Sequence, residues 1–146
     1  MDVQNGIVSR FAENEKVLLP FQKAVEAARR HNIQVIFVRV AFREGYPEIS
    51  PRNKSFSAIS RLSGMTVSDT ATQIHESVKP QPDEPIVTKL RFSAFAGSDL
   101  EVILRSRQID TLILSGISTS GVVLSTLREA ADKDFAITVL SDACLD

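Results

Sequence analysis

One cysteine, one tyrosine, two methionines and no tryptophan are all that this sequence of 146 residues holds of those types. The single thiol, Cys144, excludes an internal disulfide and fits a reducing cytoplasm, where the protein is expected. An excess of one charge is also missing. Seventeen Lys and Arg face 18 Asp and Glu, for a net charge of −1, and no basic run stands out. Nucleic acid and an anionic membrane surface are therefore not expected partners. No apolar stretch approaches the ~20 residues of a membrane-spanning helix, and the first residues lack the pattern of a secretory signal. The two histidines, His31 and His75, lie far apart and share no ligand spacing with other residues, so neither a metal nor a cofactor is expected. What remains is 43% hydrophobic and 24% charged, which suits one soluble domain over residues 1–146.

The chain alternates two kinds of pattern. "PFQKAVEAARRHN" is a helix with Pro20 in its first turn, where a missing N–H costs nothing, and with Phe21, Ala24, Val25 and Ala28 on one face. "IQVIFVRVAF", Ile33 to Phe42, is a β-branched run expected as a buried strand. From Arg43 to Pro85 prolines and glycines break the pattern, leaving a long excursion with at most one or two short helices. "IVTK" is a short strand, and "SDLEVILRSRQ" a helix in which Ser98 and Glu101 are spaced as a capping box. "DTLILSG" is a second buried strand. "GVVLSTLREAADKD" is a helix expected to turn Val122, Leu124, Ser125 and Ala130 or Ala131 to the sheet, and "FAITVLSD" is a further strand. Strands alternating with helices imply right-handed βαβ units: an α/β, three-layer Rossmann-like fold, its sheet mostly parallel and its helices on both faces.

In such sheets ligands bind beyond the carboxyl ends of the strands. Asp2, Lys89 and the turn from Gly116 to Val122 all fall at such ends. Taken singly, Asp2 is a turn aspartate, Lys89 a solvated charge and the turn a tight strand-to-helix connection. An acid, a lysine and a helix start at one sheet edge are better explained together as a site. Arg91 and Phe92 follow Lys89 and either line a pocket or flank the strand. His75 suits a surface or an interface better than a general base. Cys144 follows the last strand with no base nearby in sequence, which favours an inert buried thiol. Ser118, Thr119 and Ser120 offer hydroxyls, but these are poor nucleophiles without an adjacent base and are what a tight turn selects.

Four segments, in order along nearly the whole chain, resemble the isochorismatase-like hydrolases, also called cysteine hydrolases. "MDVQNGIV" is similar to that family's opening strand ending in Asp-x-Gln-Asn. "VTKLRFSAFAGSDLEVILRSRQIDTLILSG" resembles its lysine segment, "GISTSGVVLSTLREA" its elbow and "TVLSDA" the strand that follows. The resemblance implies that Asp2 is the acid/base and Lys89 the supporting cation. The family's nucleophilic cysteine comes six residues after the elbow glycine, which is Gly116 here, and that position holds Val122. The metal-binding histidines of the nicotinamidase branch have no match.

Some family members that hydrolyse isochorismate also lack the cysteine, because a vinyl ether needs protonation and water rather than an acyl-enzyme. The resemblance therefore implies a hydrolase acting on a small carboxylate, amide or vinyl ether without a thiol. The alternative is a non-catalytic binding or assembly protein on the same fold. It further implies a cis peptide between Ile117 and Ser118, with the N–H groups of Ser118 and Val122 forming an anion cradle, and Gln4, Arg91, Phe92, Thr119 and Gly121 lining the pocket. A homo-oligomer is expected, in which the 43–85 excursion packs against a partner. Only Met1 precedes Asp2, so the family's first, central strand is nearly absent; the domain reads as clipped at both ends, with two strand edges left unpaired.

Overall fold

Short β-branched runs make the strands, and alternation within them sorts the helices onto two faces. The structure, a computed structural model, describes residues 1–146, the side chain of Leu62 excepted. In chain order the elements are α1 (Asn5–Phe11), α2 (Leu19–Arg30), β1 (Phe37–Val40), α3 (Lys54–Leu62), β2 (Ile86–Lys89), α4 (Leu100–Ser106), β3 (Thr111–Ile117), α5 (Leu124–Asp132) and β4 (Ala136–Leu145). β1 pairs with β2 in parallel, from Phe37↔Ile86 to Val40↔Lys89. β3 pairs with β4 in parallel from Thr111↔Ala136 to Leu114↔Val139, then shifts register and resumes at Gly116↔Cys144. Side chains alternate across a strand. Phe37 packs with Val8, Leu18 and Phe21 of the α1–α2 side, whereas its neighbour Val38 packs with Leu100, Leu104 and Ala130 from α4 and α5. The result is the expected three-layer α/β arrangement.

The two strand pairs are joined by the first residues of the chain. The Met1 ammonium donates to Ser115 O at 2.7 Å and Ile117 N–H to Met1 O at 3.1 Å, while Asp2 N–H donates to Val38 O at 2.8 Å. Met1–Val3 thus lies between β1 and β3 and satisfies groups on both edges. Gly116 is required by this approach, because a Cβ there would lie 2.6 Å from Met1 O. Toward the amino ends of β1 and β3 the pairs are separated by an apolar recess of about 740 Å³, walled by residues such as Phe21, Val25, Val38, Leu104 and Leu114.

Several expectations need correction. Of Ile33–Phe42 only Phe37–Val40 forms a paired strand, and Phe42 instead bridges Thr66. The first long helix runs Leu19–Arg30 rather than to Asn32, whose φ of +55° ends it. α1 stands where no element was expected: its seven residues are too few for a clear period, and Val8 is its one buried residue. The Ser98–Glu101 capping box does not form. Ser98 Oγ donates to Ala94 O, while Glu101 accepts from Lys133 Nζ at 2.7 Å, the stronger charge-assisted partner. β4 extends to Leu145, so Cys144 lies within a strand, half-buried, rather than beyond one. The excursion holds α3 and two single 3-10 turns, Thr70–Thr72 and Glu76–Val78; His75 caps the second by accepting from Ser77 N–H.

At the start of α5, Leu124 is 37% exposed and points away from the sheet. Thr126 takes the inward position, 1% exposed, with its hydroxyl accepting from buried Ala94 N–H at 2.9 Å. Replacing Thr126 by Val keeps the shape and orphans that N–H, which costs about 1–3 kcal/mol. Chemical denaturation of the T126V variant is expected to show that loss with an unchanged denaturant slope.

Candidate functional site

Lys89 ends β2, and Asp2 sits on the segment seated against the far edge of β1. Lys89 is the ladder partner of Val40, and its side chain reaches across β1 so that its Nζ lies 3.0 Å from Asp2 Oδ2. Both are buried, at 2% and 4% exposure. Lys89 Nζ also donates to Arg91 O at 2.8 Å. The other carboxylate oxygen, Asp2 Oδ1, is buried and has no hydrogen-bond partner among the described residues. Asp2 itself adopts a left-handed backbone, φ +58°.

Burial dominates the electrostatics. Loss of hydration raises the Asp2 carboxyl above its usual range, against the opposing pull of Lys89 and of the Met1 ammonium. The same loss lowers the Met1 ammonium, which is buried beside Lys89. The pair therefore holds a carboxyl group pushed toward its protonated form, with one oxygen unengaged.

The elbow follows β3. A turn of π-helix, Thr119–Val123, leads into α5, and Ser118 caps it: its Oγ accepts from Gly121 N–H at 3.1 Å. The Ile117–Ser118 peptide is cis, as the resemblance implied. Val122 is 2% exposed, and Thr119 is exposed at the turn. Ser120 Oγ donates to Asp146 Oδ1 at 2.7 Å in an exposed position. The hydroxyls of Ser118 and Ser120 are thus engaged locally, and neither is bonded to Asp2. A Cβ at Gly121 would lie 2.6 Å from Ser118 Oγ and 3.9 Å from the Phe92 ring, which places Phe92, 49% exposed, beside the elbow.

Two residues expected to line the pocket have other partners. Gln4 is fully buried, with both ends of its amide on the Val40 backbone. The Arg91 guanidinium donates to Leu90 O and Glu48 O and lies 5.4 Å from the centre of the Phe56 ring. Sequence periodicity gave no sign of these roles, because the Gln4–Val40, Arg91–Glu48 and Arg91–Phe56 contacts each join segments more than 30 residues apart. Neither the large apolar recess nor a smaller one of about 330 Å³, lined by Ala41, Phe42, Glu48 and Thr88 among others, includes Asp2 or Lys89. Among the described residues no group of three or more His, Cys, Asp or Glu side chains converges as a metal site would.

Comparison with known proteins places the chain in a family. The isochorismatase domain model matches residues 1–146. The chain is 35% identical over 143 residues to the isochorismatase family protein YwoC of Bacillus subtilis, covering 98% of this chain and 74% of that protein. It is 33% identical over 139 residues to the ureidoacrylate amidohydrolase RutB of Pseudomonas savastanoi, where it covers 87% of this chain but only 57% of the relative. A solved cysteine hydrolase from Pseudomonas syringae superposes with a TM-score of 0.89 at 26% identity, covering 99% of this chain and 69% of that one. The fold is also that of N-carbamoylsarcosine amidase from Thermoplasma acidophilum, with a TM-score of 0.82 at 24% identity over 99% of this chain and 80% of the other. The full-length domain match and the YwoC relationship establish that the chain belongs to the isochorismatase family.

Proposed function

We propose that the protein is a hydrolase of a small carboxylate, amide or vinyl ether substrate that uses Asp2 as acid/base and Lys89 as supporting cation, with no cysteine nucleophile. The observation that carries this reading is Asp2 itself: one oxygen held 3.0 Å from a buried ammonium, the other buried and without a hydrogen-bond partner among the described residues. A carboxyl group in that state can give or take a proton at Oδ1 while Lys89 fixes its orientation. Val122 fills the position of the family's thiol, so water supplies the oxygen. In an amide or ureide, water adds to the carbonyl carbon and passes a proton to Asp2. The C–N bond then breaks, and Asp2 returns the proton to the leaving nitrogen. In a vinyl ether, protonated Asp2 delivers its proton to the alkene carbon, water adds to the resulting oxocarbenium carbon and returns its proton to Asp2, and the hemiketal collapses with cleavage of its C–O bond to release a ketone and an alcohol. We assign the backbone of Ser118 and Val122 to a cradle for the substrate's negative oxygen, and Phe92 to the rim of the pocket. The relationship to RutB supports an amide or ureide first.

Asp2→Asn removes the proton carrier and Lys89→Ala the cation. Either change is expected to abolish turnover when the protein is screened by product chromatography against ureidoacrylate, simple amides and vinyl ethers. Undiminished turnover in the Asn variant refutes the assignment. Ligand binding without turnover in the wild type favours the non-catalytic alternative.

The raised Asp2 pKa also has a stability consequence. Between the unfolded value of 3.8 and the higher folded one, the native state holds a proton that the unfolded chain has lost. The stabilisation is complete below 3.8 and is lost as pH rises through the folded pKa. The difference in unfolding free energy between wild type and Asp2→Asn, followed by denaturation across the acidic range, is therefore expected to shift against the wild type as pH rises. A difference independent of pH would contradict the raised value.

We also propose a homo-oligomer, supported by Val67, 45% exposed, on the 43–85 excursion and by Phe92 next to it in the fold through Phe56. Analytical ultracentrifugation at micromolar concentration is expected to show a species larger than the monomer.

A further inference from the structure

We propose that Gln4 is a positioning residue: by holding both backbone groups of Val40, its amide sets the register at which Asp2 meets Lys89. The inference rests on the reading of Asp2 and Lys89 as the working pair. Gln4 Nε2 donates to Val40 O at 3.0 Å and Val40 N–H donates to Gln4 Oε1 at 2.9 Å, with the side chain fully buried. The amide thus occupies the place that a neighbouring strand's peptide group would take. Val40 is also the ladder partner of Lys89 on the opposite edge of β1. Two residues earlier, Asp2 N–H is fixed to Val38 O. The segment is therefore pinned to β1 at Val38 by backbone and at Val40 by a side chain, and the ion pair spans β1 between those pins.

Magnitudes favour a register role over simple filling. One step along a strand is about 3.3 Å, enough to break a contact of 3.0 Å between Asp2 and Lys89. A left-handed aspartate at φ +58° also needs its neighbours fixed, because non-glycine residues enter that region at a cost. The other edge of the segment is held as well: His75 N–H donates to Val3 O, and Gln4 forms a bridge with Ile74. A buried amide is costly unless both its ends are satisfied, and here both are satisfied by the one residue that indexes Lys89. An aliphatic side chain would fill the volume and leave Val40 N–H and C=O unpaired.

The test needs no substrate, so its failure is distinct from failure of the proposed reaction. Buried between Asp2 and Arg91 O, the Lys89 ammonium is followed by proton exchange in nitrogen-15 NMR, and Asp2 by its carboxyl carbon-13 titration. In Gln4→Met, which keeps the length and removes both bonds, exchange at Lys89 is expected to accelerate about tenfold, the factor expected for one hydrogen bond's worth of protection. The Asp2 titration is expected to move with it, while circular dichroism stays native. A lower melting temperature with Lys89 exchange and Asp2 titration unchanged would show a purely structural residue and overturn the proposal.

If that variant does not fold, Gln4→Glu decides. Its ionised form has no proton for Val40 O, whereas its protonated form restores both bonds. Asp2 and the Met1 ammonium titrate in the wild type too, so each pH point is read against wild type at the same pH. Exchange faster than wild type above the glutamate's titration and equal to it below supports the proposal; equality at every pH overturns it.

Discussion

The seating of Met1–Val3 between β1 and β3 is the contact on which the rest depends. Three hydrogen bonds, to Ser115, from Ile117 and to Val38, make one layer of two separate strand pairs. The Met1 nitrogen is buried at the edge of β3, 2.7 Å from Ser115 O. Every group on the segment is thereby referenced to both halves of the sheet. Gly116 keeps the space open on one side, and the Gln4 amide completes the pairing on the other.

The acid–lysine pair inherits its properties from this seating. Asp2 is buried because its segment is central, and its carboxyl is raised because it is buried. Lys89 reaches it because the β1–β2 register stops at Val40. A buried ion pair of this kind adds little net stability, since desolvation offsets much of the attraction. What the pair does fix is orientation: one oxygen is held by the ammonium, and the other has no hydrogen-bond partner among the described residues. At the elbow, by contrast, Ser118 and Ser120 use their hydroxyls on local partners.

Strand and helix existence along most of the chain followed from short-range pattern: the β-branched runs, Pro20 in its helix and the helix after the elbow. The family resemblance, carried by the four motifs, named Asp2 and Lys89, and the fold placed them together. Boundaries were less legible. Ile33–Phe42 looks like one strand because its residues are mostly β-branched and apolar, yet only the part facing β2 finds a ladder. The Ser98–Glu101 spacing suits a cap, yet Lys133, far along the chain, takes the glutamate. Leu124 has an inward hydrophobicity but an outward position, because the π turn before α5 rotates the helix face.

Sequence by itself determined the alternation of strands and helices and the residue types at the strand ends, because each is written in neighbouring residues. Tertiary structure alone decided what those residues do. Whether Gln4 lines a pocket or clamps Val40, whether Arg91 meets a ligand or two carbonyls, and whether Asp2 is solvated or sealed beside Lys89 all depend on contacts between distant segments. Such contacts follow from strand register and burial, which leave no periodic trace in the chain that makes them.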